Sequence, residues 1–245
     1  MSDGHAPFVL VHGAWQGSWV WERVAERLRA AGHAVHVPSL TGLGERAHLA
    51  TPHINLDTHI ADVTSAIEHH ELDRIVLCGH SYGGMVVAGA ADRLPQRVRS
   101  LIFLDAFIPT PGKSLLDLQP PEIAARQREE TRQEGEGWRL KRLPSNYFRV
   151  ADPADVARLD RRAVDQPIGT MDQKSAVTGA WETVPHLAYI RAAGHARGPF
   201  AQFAERVRGQ ERWQYFEVPC GHNVMLDMPA ALTGILLECA ARAAR

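Results

Sequence analysis

The stretch that most constrains the chain is Ile75-Val-Leu-Cys-Gly-His-Ser-Tyr-Gly-Gly-Met-Val-Val, residues 75–87. An apolar, β-branched run stops at Gly79, and a helical pattern restarts after Gly84. Ser81 stands between them in a G-x-S-x-G frame, Gly79 to Gly83. Strand, sharp turn and helix in that order lift a serine hydroxyl above the edge of a sheet. Glycines flank such a serine because its backbone is strained and side chains beside it would strike neighbouring chain. Ser81 is therefore the candidate nucleophile.

The surrounding pattern predicts what this turn sits in. Phe8–Val11 is a short apolar run that suits a buried parallel strand. A helix follows, capped by Ser18, with Trp21, Val24, Ala25 and Leu28 on one face. Residues 34–37 make a second strand, and Asp57 caps a helix with Ile60, Val63 and Ile67 inward. Strands at 75–78 and Leu101–Leu104 bracket the elbow helix. Strand and helix alternating through short turns predict an α/β fold, a mostly parallel sheet with helices on both faces. In such sheets ligands bind at the carboxyl ends of the strands. His12-Gly13, Ser81 and Asp105 all fall just past such ends.

The rhythm breaks after Phe107. Residues 111–145 are rich in Pro, Glu and Arg, Asp152-Pro153 starts another helix, and residues 170–181 read as a further short one. Strands at 187–190 and 213–218 and a terminal helix from Asp227-Met-Pro229 then restore the pattern. The expected division is a core of residues 1–107 and 185–245, with residues 108–184 inserted as a helical cap over the rim.

Composition excludes several classes. Net charge is −1, so no strong field recruits nucleic acid or an anionic membrane surface. No apolar run approaches the ~20 residues of a membrane span. The three cysteines, Cys78, Cys220 and Cys239, form no C-x-x-C or metal spacing and read as reduced thiols. No secretory leader is evident at the N-terminus, so a soluble cytoplasmic protein is expected. The sequence leaves monomer and homodimer equally open.

A serine hydroxyl needs a base to take its proton. Of 13 histidines, His222 follows the last strand on a loop before the final helix, and so returns to the rim that carries Ser81. The oxyanion of a tetrahedral intermediate needs two N–H donors: one follows the nucleophile, at Tyr82, and one follows the first strand, at Ala14. His80 reads as a packing residue of the elbow, and His12 as a residue that pins the oxyanion loop.

Over essentially its whole length the chain resembles the α/β-hydrolase superfamily. Val11-His-Gly-Ala-Trp15 with Trp19-Val-Trp21, Gly79-His-Ser-Tyr-Gly-Gly84 and Leu104-Asp-Ala-Phe-Ile-Pro109 resemble the branch of plant methylesterases and hydroxynitrile lyases. Thr41-Gly-Leu-Gly-Glu-Arg46 with Asn55-Leu-Asp-Thr58 is closer to bacterial carboxylesterases of that branch, which include pyrethroid-ester hydrolases. The resemblance implies a serine carboxylesterase that works through an acyl-enzyme on a small-molecule ester or lactone, with no metal or organic cofactor.

It also exposes a departure. Most of the superfamily carries its triad acid after the strand that follows the cap. Here that loop reads Arg191-Ala-Ala-Gly-His-Ala-Arg-Gly198, with no carboxylate. A minority places the acid after the strand that follows the nucleophile helix, where this chain has Asp105. Asp105 is the expected acid, with Asp227 as an alternative and His195 as a solvated loop histidine or a residue lining the site. Lyase relatives carry Thr after the first-strand His and Lys after the catalytic His; Gly13 and Asn223 stand there and favour the esterase. A ligand receptor with little turnover is the third possibility. Trp15, Phe107, Trp138, Met171 and Trp181 are the candidates for an apolar substrate pocket.

Overall fold

In the computed structural model, which describes residues 5–196 and 198–243, strand β1 (Phe8–Val11) is buried at every position. A 3-10 turn at Ser18–Trp21 leads into α1 (Glu22–Ala30), and the chain returns through β2 (Val35–His36). The alternation continues with α2 (Leu56–His69), β3 (Ile75–His80), α3 (Gly83–Arg93) and β4 (Val98–Leu104). Residues 108–184 then leave the sheet. They hold α4 (Pro121–Glu134), β5 (Arg139–Leu140), α5 (Pro153–Arg162), β6 (Gln166–Pro167) and the single turn α6 (Gly169–Asp172). The sheet resumes with β7 (His186–Ala192), α7 (Phe200–Val207) and β8 (Trp213–Val218), before α8 (Val224–Asp227) and α9 (Pro229–Ala243). No helix among the described residues is long and apolar enough to cross a membrane.

Among the described residues the main sheet has six strands in the order β2-β1-β3-β4-β7-β8, and every pair in it is parallel. β5 and β6 form a separate antiparallel ribbon within the insertion. Parallel pairing brings all carboxyl strand ends to one rim. His80 pairs with Leu104, and Leu104 with Ile190, so Ser81, Asp105 and Arg191 emerge on three neighbouring strands.

Side chains alternate between the faces of a strand, and two cores result. Phe8, Leu10, Val76, Cys78 and Ile102 pack with Val24 and Leu28 of α1 and Leu232 and Leu236 of α9. Val9, Val11, Leu77, Leu101 and Phe103 pack with residues of α2, α3 and α7. Each fully buried side chain of this size contributes about 1.5–3 kcal/mol.

Three local expectations are corrected. Ser18 caps no helix: its N–H donates to Ser39 Oγ at 3.1 Å, and α1 begins only at Glu22. Asp57 is not the cap of α2, because its carboxylate is engaged by Arg93 and by Gln173 Nε2. Asn55 caps instead, in a reciprocal box: Asn55 Oδ1 accepts from Thr58 N at 3.1 Å, and Thr58 Oγ1 accepts from Asn55 N. Residues 170–181 are not one helix. The N–H groups of Thr178, Gly179 and Trp181 donate to the Asp92 carboxylate rather than to helical carbonyls.

One close approach sets the height of the elbow. Gly84, in the first turn of α3, lies so near the chain leaving β4 that a Cβ there would strike the Phe107 carbonyl oxygen. Gly234, in α9, has open space around it. Gly84→Ala should therefore lower stability in urea unfolding by about 2–3 kcal/mol. Gly234→Ala should raise it, by up to ~1 kcal/mol.

Candidate active site

Ser81 sits at the end of β3 with φ at 56°, a left-handed conformation that a side chain rarely adopts. The strain is held by its neighbours. Ser81 N–H donates to Leu104 O at 3.1 Å, and Ser81 O accepts from Gly84 N–H at 3.1 Å and from Phe107 N–H at 3.2 Å. A Cβ on Gly83 would come within 2.8 Å of His12 O, so only glycine admits the first strand this close.

His222 is fixed on all sides. Its N–H donates to Phe148 O at 2.9 Å, and its carbonyl accepts from His80 Nε2 at 3.0 Å. The Phe200 ring lies nearly parallel to the imidazole, with centroids 4.7 Å apart. His222 Nδ1 donates to Asp105 Oδ2 at 2.7 Å. That bond fixes the tautomer and leaves Nε2 as the ring's proton acceptor. Burial, then the Arg191 guanidinium, push the His222 pKa down to about 3, so the imidazole is neutral at rest.

Asp105 is fully buried, also at positive φ, 41°. Its Oδ1 accepts from Arg191 Nη1 and from Ala192 N–H at 3.2 Å. Burial raises the Asp105 pKa, while Arg191 and the Ala192 N–H pull it back by favouring the carboxylate. The alternative acid, Asp227, accepts instead from Ala151 N–H at 3.0 Å.

The loop after β1 is equally constrained. His12 Nε2 accepts from Leu40 N–H at 3.1 Å, so Nδ1 carries the proton and donates to Gly13 O at 2.9 Å. Trp15 has φ at 62°, with its N–H held by Gln166 Oε1 at 2.9 Å and its indole N–H by Leu140 O. Ala14 and Tyr82 both face the space above Ser81. His59 Nε2 donates to Thr41 O at 2.8 Å, so its Nδ1 accepts from the Tyr82 hydroxyl, also at 2.8 Å.

Ser81 and His222 open into a cavity of about 300 Å³. Trp15, Phe107 and Met171 line it, together with Leu115, Ile123 and Phe148. Trp138 and Trp181 do not belong to this lining. Trp181 is buried against Phe103 and Trp213, and Trp138 is stacked under the Arg139 guanidinium. His195 is not solvated: it is fully buried, its ring centroid 4.9 Å from that of His222. Arg191, Gln166 and His59 escaped the sequence reading. Only Arg191 carried a signal there, as a charge at the end of an apolar strand.

The buried histidines set the acid stability. Burial lowers His12 and His59 to about 4 and His222 to about 3. In the unfolded chain such rings titrate near ~6.5. Below that pH the unfolded state binds more protons, so stability falls as pH falls from about 6.5 towards 4, by up to ~1.4 kcal/mol per unit for each ring. The thermal midpoint should be level above about pH 7 and drop steadily below about pH 6; a level midpoint down to about pH 4.5 would contradict these assignments.

Comparison with known proteins agrees with this fold. The profile of the alpha/beta hydrolase family matches residues 8–234. A carbendazim hydrolyzing esterase from Nocardioides sp. (strain SG-4G) is 43% identical over 235 residues, 93% of this chain and 96% of that protein. An alpha-hydroxynitrile lyase from Arabidopsis thaliana is 33% identical over 103 residues, 42% of this chain and 40% of the other. The crystal structure of a pyrethroid hydrolase from Sphingobium faniae superposes with a TM-score of 0.75 at 22% identity, covering 96% of this chain and 97% of that one. The chain belongs to the alpha/beta hydrolase family, among relatives that are esterases.

Proposed function

We propose that this protein is a serine carboxylesterase acting on small to medium apolar or aromatic esters. The observation that carries the reading is the 2.7 Å bond from His222 Nδ1 to Asp105, beside a cavity into which both His222 and Ser81 open. Ser81 Oγ attacks the ester carbonyl as its proton passes to His222 Nε2. The N–H groups of Ala14 and Tyr82 hold the oxyanion. Collapse expels the alcohol, which takes the proton from imidazolium, and leaves an acyl-serine. Water, deprotonated by the same ring, then releases the acid. Asp105 orients the ring and stabilises its charged form. Residues 108–184 act as the cap: Leu115, Ile123, Phe148 and Met171 of this segment supply much of the apolar lining.

The lyase reading is weaker at two positions. Gly13 stands after the first-strand histidine. Asn223 follows His222, its Oδ1 accepting from Gln16 Nε2 at 3.0 Å, so no cation stands there to receive cyanide.

Hydrolysis of p-nitrophenyl acetate and butyrate, of carbendazim, and of mandelonitrile in parallel tests the reading. Ester turnover should be fast and should fall at least ~10⁴-fold in Ser81→Ala. Cyanide release without ester turnover would overturn it, and ligand binding without turnover would favour a receptor. Asp105→Asn should lower kcat by about 10⁴-fold; a loss of only a few-fold would remove Asp105 from the triad.

A further inference from the structure

Arg191 is charged, 8% exposed, and placed at the end of β7 beside the acid. A buried ion pair gains little net stability, because the attraction barely repays the desolvation of both charges. Its contacts are specific. Nη1 donates to Asp105 Oδ1, and Nη2 donates to the His195 carbonyl at 2.6 Å. Asp105 Oδ2 is thereby left to His222 alone. The loop beyond His195 supplies Gly198, Pro199 and Phe200 to the cavity wall, and Phe200 stacks on His222.

We propose that Arg191 is a positioning residue of the active site, one arm orienting the triad acid and the other fixing the loop that walls the cavity and backs the base. The inference rests on the esterase reading. Arg191 reacts with nothing. It turns the carboxylate so that a single oxygen meets Nδ1.

Its charge also acts on the base. The titratable and charged groups around His222 are Asp105 at the end of β4, His80 from β3, Arg191 from β7 and His195 from the following loop. From the insertion, Arg149 acts on His195. Of these, Arg191 is the cation that disfavours a second positive charge on His222. With burial, the larger cause, it keeps His222 a free base in acid. Removing the charge while Asp105 stays ionised must raise the proton affinity of the ring.

The test is the pH dependence of kcat/KM on p-nitrophenyl acetate for the parent, Arg191→Met and Arg191→Lys. The parent's acid limb should lie well below the ordinary histidine value of ~6.5. In Arg191→Met the plateau should fall about 10²-fold, and the acid limb should move up by at least ~1 pH unit. Arg191→Lys keeps the charge and loses the fork, so its limb should stay near the parent's while its plateau is intermediate. A merely structural arginine would lower both plateaus and leave both limbs in place, which overturns the proposal. If Arg191→Met does not fold, Arg191→Lys decides: a plateau equal to the parent's overturns the proposal. The esterase reading fails separately, when the parent's turnover survives Ser81→Ala.

Discussion

The site depends on how the chain leaves β3 and β4 side by side. Ser81 donates its N–H to Leu104 O and receives the Phe107 N–H on its own carbonyl. Those two bonds join the turn of the proposed nucleophile to the segment that carries Asp105. They also hold Ser81 and Asp105 at positive φ, where neither would settle alone. The strain is borne because the surrounding sheet is parallel, covered on both faces and almost wholly apolar. Once these strand ends are interlocked, the acid needs only to point along the rim to meet the base.

Each group of the proposed triad and oxyanion hole is supported from a different element. His222 is held through its main chain by the insertion, at Phe148, and by β3, at His80. Asp105 is held by β7, through the Arg191 side chain and the Ala192 N–H. Tyr82 is tied through His59 to the loop at Thr41. Neutral imidazoles serve as rigid struts in two of these places, at His80 and His59. That choice adds no further charge to a site that already buries the Asp105–Arg191 pair, and it makes the fold sensitive to acid.

Much of this was legible in the sequence. The alternation of apolar strands and amphipathic helices gave the sheet, and strand ends located Ser81, Asp105 and His222. The empty loop after β7 pointed to Asp105, since a histidine base needs some carboxylate to lean on. The pocket was less legible. Trp181 and Trp138 have the composition of lining residues, but composition does not say which face of the insertion turns inward. Arg191 was hidden for a different reason. A charged residue closing an apolar strand ordinarily marks the point where a strand meets water, and only the register of β4 against β7 shows that it meets Asp105. The caps failed locally: Asp57 and Ser18 have suitable side chains, yet tertiary partners claimed both, Glu45 taking the Ser18 hydroxyl.

The Gln166 contact gives the inserted segment a second meaning. Gln166 belongs to the small ribbon of the insertion, yet its amide oxygen holds the N–H of Trp15, and its Nε2 donates to Thr170 Oγ1 at 2.7 Å. Trp15 adjoins Ala14, so the proposed donor loop for the oxyanion is partly built from outside the sheet. Under the proposed function the insertion is thus a component of the catalytic frame as well as a wall around the substrate. Exchanging it for the equivalent segment of a relative would alter turnover along with selectivity, unless the incoming segment brings its own acceptor for Trp15.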